Sequence, residues 1–150
     1  MNKVTLDRSI YATALVGVLV VVHLWLMVDR GFDRGCFGFS EPTAVVECEA
    51  VIQSDAGSLF GVSNAVWGLL FYVGLAALSF LIGMGSHLAA KGRVLRAAMV
   101  FGGFCYSAYL VYVQAVQIGA WCKLCLISAA IVAVLTALVS YQLFGKPTDS

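Results

Sequence analysis

Charge is the first thing this sequence lacks. Only 11% of its 150 residues are Asp, Glu, Lys or Arg, against about 25% in a water-soluble domain. With 61% hydrophobic residues and a mean hydropathy of +0.94, the chain cannot cover a water-facing surface. Clusters of His and Met are also missing, which argues against a thiol-based metal carrier. No basic stripe or Gly-rich phosphate loop is present, so nothing points to nucleic acid or nucleotide. Internal repeats and low-complexity segments are absent too.

Long apolar runs stand in their place. A membrane span consumes roughly 20 apolar residues, and four such runs lie at about 9–28, 63–84, 97–118 and 120–144. Backbone groups in hydrocarbon must pair within their own segment, so runs of this length are helices. The expectation is an all-α integral membrane protein: one domain over 1–150, a four-transmembrane-helix bundle with an outer loop at about 29–62. The first run is too long for the apolar core of a signal peptide and lacks a small-residue cleavage site, so it reads as a retained span.

Charge asymmetry orients the bundle. Lys3, Arg8, Lys91, Arg93, Arg96 and Lys146 fall on one side, with His87. Arg30, Arg34 and Lys123 fall on the other, among Asp29, Asp33, Glu41, Glu47, Glu49 and Asp55. The positive-inside rule then places both termini in the cytoplasm. Four of the five cysteines come to the outer face, a periplasm or an ER lumen, where disulfides persist.

Cys122-Lys123-Leu124-Cys125 is a C-x-x-C at a helix start. Residues three apart share a helix face, with β-carbons roughly 5–6 Å apart, so a disulfide needs modest local adjustment. The helix dipole and Lys123 favour thiolate, and a thiol of low pKa leaves readily in exchange. The alternatives are half a zinc site, which lacks nearby partner ligands, or two packed thiols. Cys36 and Cys48 are separated by eleven residues of the outer loop. A structural staple is one reading. Against it, Val45, Cys48, Val51 and Ile52 form a stripe on a short amphipathic helix from Thr43 to about Gln53, which would hold Cys48 at the membrane interface. Cys36, flanked by glycines in RGCFGFS, stands nearer water. One thiol near water and one near lipid suggest a relay.

Taken together, these residues resemble the vitamin K epoxide reductase family, from the first span to Cys125. The marks are the loop cysteine pair, Ser54 in CEAVIQS, Asn64 in SNAVWGLLFY and the final CKLC. The resemblance implies a relay from a thioredoxin-fold protein to a quinone of the menaquinone, ubiquinone or vitamin K type, with no metal. Carried over, Cys36 meets the partner, Cys48 passes reducing equivalents to Cys122, and Cys125 faces the quinone. Ser54 and Asn64 match positions near the quinone head group; a helix-terminus contact for Ser54 and an N-cap for Asn64 are the structural alternatives. Three departures bear on the substrate. The loop pair is widely spaced, Ala129 stands four after Cys125 where the animal enzyme has a tyrosine, and no lysine-rich tail follows. Many bacterial relatives carry a fused thioredoxin-like domain, whereas Ser150 ends this sequence.

The expected function is therefore a bacterial-type, quinone-dependent thiol–disulfide oxidoreductase with its partner in trans. A quinone-epoxide reductase of the ER and a non-enzymatic four-span scaffold with structural disulfides are the alternatives. Other residues read as structural. Cys105 is expected as a small buried hydrophobe, and His23 as interfacial. Gln114 and Gln117 serve function or interhelical hydrogen bonding equally well. Trp25, Tyr109, Tyr112 and Trp121 suit an aromatic belt, while Trp67 packs deeper. Gly102-Gly103 permits close helix approach. Lys91, Arg93 and Arg96 serve topology alone.

Overall fold

The computed structural model describes residues 3–30, 50–52, 54–85 and 89–145. Cys36, Cys48 and most of the expected interfacial helix lie outside these residues; within them, residues 50–52 are helical. Four helices form the body: α1 (Lys3–Arg30), α2 (Asn64–Gly83), α3 (Ala89–Val113) and α4 (Lys123–Phe144). Each is long and apolar enough to cross a membrane. The chain is thus a membrane-spanning helical bundle, as its hydropathy predicts.

Local chemistry closes both ends of α2 and the turn between α3 and α4. Ser63 caps α2, its Oγ accepting from the Ala65 N–H at 3.3 Å. At the other end Gly85, with φ of 71°, donates its N–H to the Ile82 carbonyl, a left-handed closure that glycine adopts without a Cβ clash. Before α2, a 3-10 turn (Asp55–Gly57) leads into a hairpin of β1 (Ser58–Leu59) and β2 (Val62–Ser63). The sequence boundary near Ala97 proves late for α3, which starts at Ala89 and continues into a π-helical turn at Gln114–Ile118. Gly119, with φ of 67°, closes that turn, and α4 begins at Lys123 rather than near Ala120.

Side-chain size sets the helix spacing. A Cβ on Gly17 of α1 would lie 2.3 Å from the Tyr72 ring of α2, so that ring sits in the groove glycine leaves. Gly103 serves the Phe71 ring in the same way, whereas Gly102 has nothing near it. The main core runs along α1, α2 and α4 through Leu6, Ile10, Ala14, Tyr72, Leu75 and Leu135, with Val100 from α3. The outward faces stay apolar, with Leu19 and Leu70 well exposed. Such an exterior suits hydrocarbon.

Cys105 departs from its expected burial. It is exposed on α3, because a bundle of four helices leaves each one a wide outward face. Arg96 departs further, since topology is not its only role. It is completely buried at the end where α2 runs into α3. Its guanidinium donates to Asp7 Oδ1 of α1 at 2.7 Å, to Gln142 Oε1 of α4, and to Ser79 Oγ of α2 at 3.5 Å. Gln142 Nε2 donates to the same Asp7 oxygen at 2.9 Å. All four helices therefore meet at one cation.

Candidate functional site

The opposite end of the bundle, where α4 begins, holds the C-x-x-C motif. Cys122 is the N-cap residue of α4 and is fully buried. It belongs to a packed cluster with Leu24 and Met27 of α1, Val51, Ala65 of α2 and Leu124. Val51 comes three residues after Cys48 in the chain. A buried backbone N–H needs an acceptor, and the Cys122 N–H finds one in Gln114 Oε1 at 3.1 Å. Of the two roles open to Gln114, the structure shows a hydrogen bond, from the end of α3 to the start of α4. Cys125, one turn on, is half-buried and packs against the same cluster.

Cys125 also lines a cavity of about 180 Å³ between the four helices. Its wall is mainly apolar, with Val21, Leu24, Phe71, Leu110 and Val132. A smaller apolar cavity, about 150 Å³, accommodates benzene, so the space suffices for a substituted ring. Ala129 forms part of the wall, so the chain offers a methyl group where the animal enzyme has a phenol.

Asn64 lies in this wall and is not the cap of α2, a role Ser63 takes. Its Nδ2 donates to the Ala56 carbonyl at 2.6 Å, and its Oδ1 accepts from the Tyr106 hydroxyl at 2.8 Å. The amide is thereby fixed in one orientation. Ser54 is placed differently. Its hydroxyl donates to the Val51 carbonyl at 2.7 Å, the helix-terminus contact, and it is not among the cavity-lining residues. The backbone around it does approach the cavity through Ala56 and Gly57. Gly57 is required there, because a Cβ would lie 2.0 Å from the Ile52 carbonyl oxygen.

Tyr72, Tyr106 and Ser128 complete the polar rim and were not singled out as site residues from sequence. The Tyr72 hydroxyl lies 3.0 Å from both the carbonyl and the hydroxyl of Ser128, joining α2 to α4. The available clue was periodic: Tyr106, Leu110 and Gln114 recur at helical spacing, putting two polar groups on one stripe of an apolar span. Trp67 does not pack deeply; it is 39% exposed and donates to the Leu59 carbonyl, tying the hairpin to α2. Trp25, Trp121, Tyr109 and Tyr112 are all exposed, as belt residues should be.

A lipid-spanning bundle that sets one thiol of a C-x-x-C motif in the wall of an apolar, amide-rimmed cavity points to a class, the membrane thiol oxidoreductases. The chain belongs to the vitamin K epoxide reductase family, whose model matches residues 8–140. No individual curated protein matches it. Membership implies a membrane oxidoreductase acting between disulfides and quinones.

Proposed function

We propose that this chain oxidises a thioredoxin-fold dithiol protein, acting in trans, and passes the electrons to a membrane quinone. The partner gives up two electrons and two protons and becomes a disulfide. A bound quinone supplies the two-electron acceptor and leaves as the quinol. One observation carries the reading: Cys125 and the fixed amide of Asn64 line the same cavity. Thiol exchange proceeds by thiolate attack through mixed disulfides. Cys36 meets the partner thiol, Cys48 hands reducing equivalents to Cys122, and Cys125 completes the pair at the cavity. The packing of Val51 in the Cys122 cluster supports this order, because it holds the chain just after Cys48 close to that thiol. Asn64 holds a quinone carbonyl; Ser54, through its hydrogen bond to Val51, shapes the same border from outside the cavity. The C-x-x-C end faces the periplasm and both termini face the cytoplasm, as the Lys/Arg distribution indicates.

The test is quinone reduction by the purified protein with a reduced thioredoxin-fold donor. Turnover is expected with the native protein. Removing Cys36 should stop it and leave a Cys48–Cys122 disulfide detectable by mass spectrometry of linked peptides. Undiminished turnover without Cys36 would exclude the relay.

A further inference from the structure

The polar groups around the cavity differ in how much hydrogen-bonding capacity they have already used. Tyr106 donates its O–H to Asn64 Oδ1, and Trp67 its N–H to the Leu59 carbonyl. Tyr72 and Ser128 are paired with one another. Two primary amides keep N–H donors in reserve. Asn64 spends one N–H on Ala56 and retains the other. Gln114 is 2% exposed, lines the cavity, and accepts from Cys122 through Oε1. Its Nε2 makes no hydrogen bond among the described residues. An amide nitrogen with no hydrogen bond, on a residue of the cavity wall, is a donor open to a ligand.

The backbone holds Gln114 in place from the other side. Its carbonyl accepts the Gly119 N–H at 2.9 Å, closing the π turn. Single π turns inside helices frequently mark functional sites. Main chain and side chain of one residue thus brace the whole connection from α3 to Cys122. With its oxygen already engaged by a backbone N–H, the amide's wholly unused group is its nitrogen.

Two such amides, one on α2 and one at the end of α3, suit a ring with two acceptor oxygens. We propose that Gln114 is the second hydrogen-bond donor to the quinone, taking the carbonyl that Asn64 does not hold. The inference rests on the quinone reading above and deepens it. Gln114 also links that carbonyl to the backbone of Cys122, so ligand and redox motif share one support. A dicarbonyl ring is matched at both oxygens, while a ring with one carbonyl leaves one amide unsatisfied.

Two substitutions separate binding from support. Gln114→Glu, assayed at mildly alkaline pH where the introduced carboxyl is ionised, still accepts from the Cys122 N–H but has no N–H to donate. Gln114→Met can do neither. The quinone Kd, followed by tryptophan fluorescence of the oxidised protein, should rise about tenfold in both, the scale of one lost hydrogen bond. The rate at which reduced donor opens the Cys122–Cys125 disulfide, measured without quinone by thiol trapping, should fall in Gln114→Met only. Native-like quinone affinity in Gln114→Glu would overturn the proposal and leave Gln114 a structural brace. A native protein that neither binds nor reduces quinone would instead remove the reading beneath it. Should Gln114→Met fail to fold, the Gln114→Glu affinity decides alone.

Discussion

At one end of the bundle Arg96, Asp7, Ser79 and Gln142 close on one another; at the other, Asn64, Tyr106, Gln114 and Tyr72 stand around a cavity. Both sets are buried or part-buried polar groups in an apolar bundle, and both draw on several helices. They differ in what is left over. Asp7 Oδ1 and the Gln142 amide oxygen both accept from the guanidinium, while Arg96 Nε is buried without a partner. The amides at the cavity keep N–H donors. A buried charge without partners is costly, and an intramembrane cation needs an internal acceptor, so the closed set stabilises the fold. The open set leaves its capacity to something that enters. One set ties the helices to one another, and the other lines a space between them.

The comparison can be broken hardest at the cavity. Cys125→Ser should lower quinone turnover by at least about a hundredfold, since a hydroxyl cannot take part in thiol exchange. The melting temperature should stay near native, because one sulfur exchanged for oxygen at a half-buried position leaves the packing intact. Retained turnover would take the C-x-x-C pair off the electron path.

The closed end predicts the reverse pattern. Asp7→Ala leaves Arg96 buried without its counter-charge, a loss on the order of 3 kcal/mol. Thermal unfolding in detergent should therefore fall by several degrees, with the quinone KM of the folded fraction unchanged. Pairing Asp7→Leu with Arg96→Met should restore much of the loss. A changed KM in Asp7→Ala would mean that the two ends communicate.

Two smaller effects sharpen the contrast. Gly17→Ala places a methyl 2.3 Å from the Tyr72 ring, and overpacking of this kind costs about 1–3 kcal/mol. Because Tyr72 belongs both to the core and to the cavity wall, stability and quinone affinity should fall together. Asn64→Ala should raise the quinone KM several-fold, for a hydrogen bond worth roughly 0.5–1.5 kcal/mol. Tyr106→Phe, which only frees the Asn64 amide to turn, should have a weaker effect in the same direction. A lowered melting temperature for Asn64→Ala with unchanged KM would make Asn64 a tie between α2 and Ala56.

Much of this could be read from the sequence, and the misses share one cause. The spans were legible because lipid permits few backbone solutions. The family marks were legible because they are short local patterns around Ser63-Asn64 and Cys122-Cys125. Arg96 was not. Its partners stand 17, 46 and 89 residues away, and nothing local distinguishes it from Lys91 or Arg93. The start of α3 was missed for the same reason, because charges that looked like a cytoplasmic connection belong to a continuing helix. Cys105 was misplaced because periodicity locates a helix face but not the side on which a neighbour stands. Gln114 was ambiguous because its acceptor role depends on the π turn that carries the chain back to Cys122.

No molecule dissolved in water can touch Cys122 without first displacing the side chains packed over it, since none of its surface is exposed. Exchange needs a thiolate to reach the sulfur itself, so small thiols face a steric barrier whatever their reducing power. In electrical terms, on the proposed relay, the contact that receives electrons from the loop is insulated. The relay proposed above would then favour a segment of the chain already seated near that thiol over bulk reductant at this sulfur, leaving half-buried Cys125 as the more open one. An engineered opening, such as Leu24→Ala, would be expected to turn the protein into a leaky oxidase of small thiols, with quinone consumption that no longer depends on a protein donor.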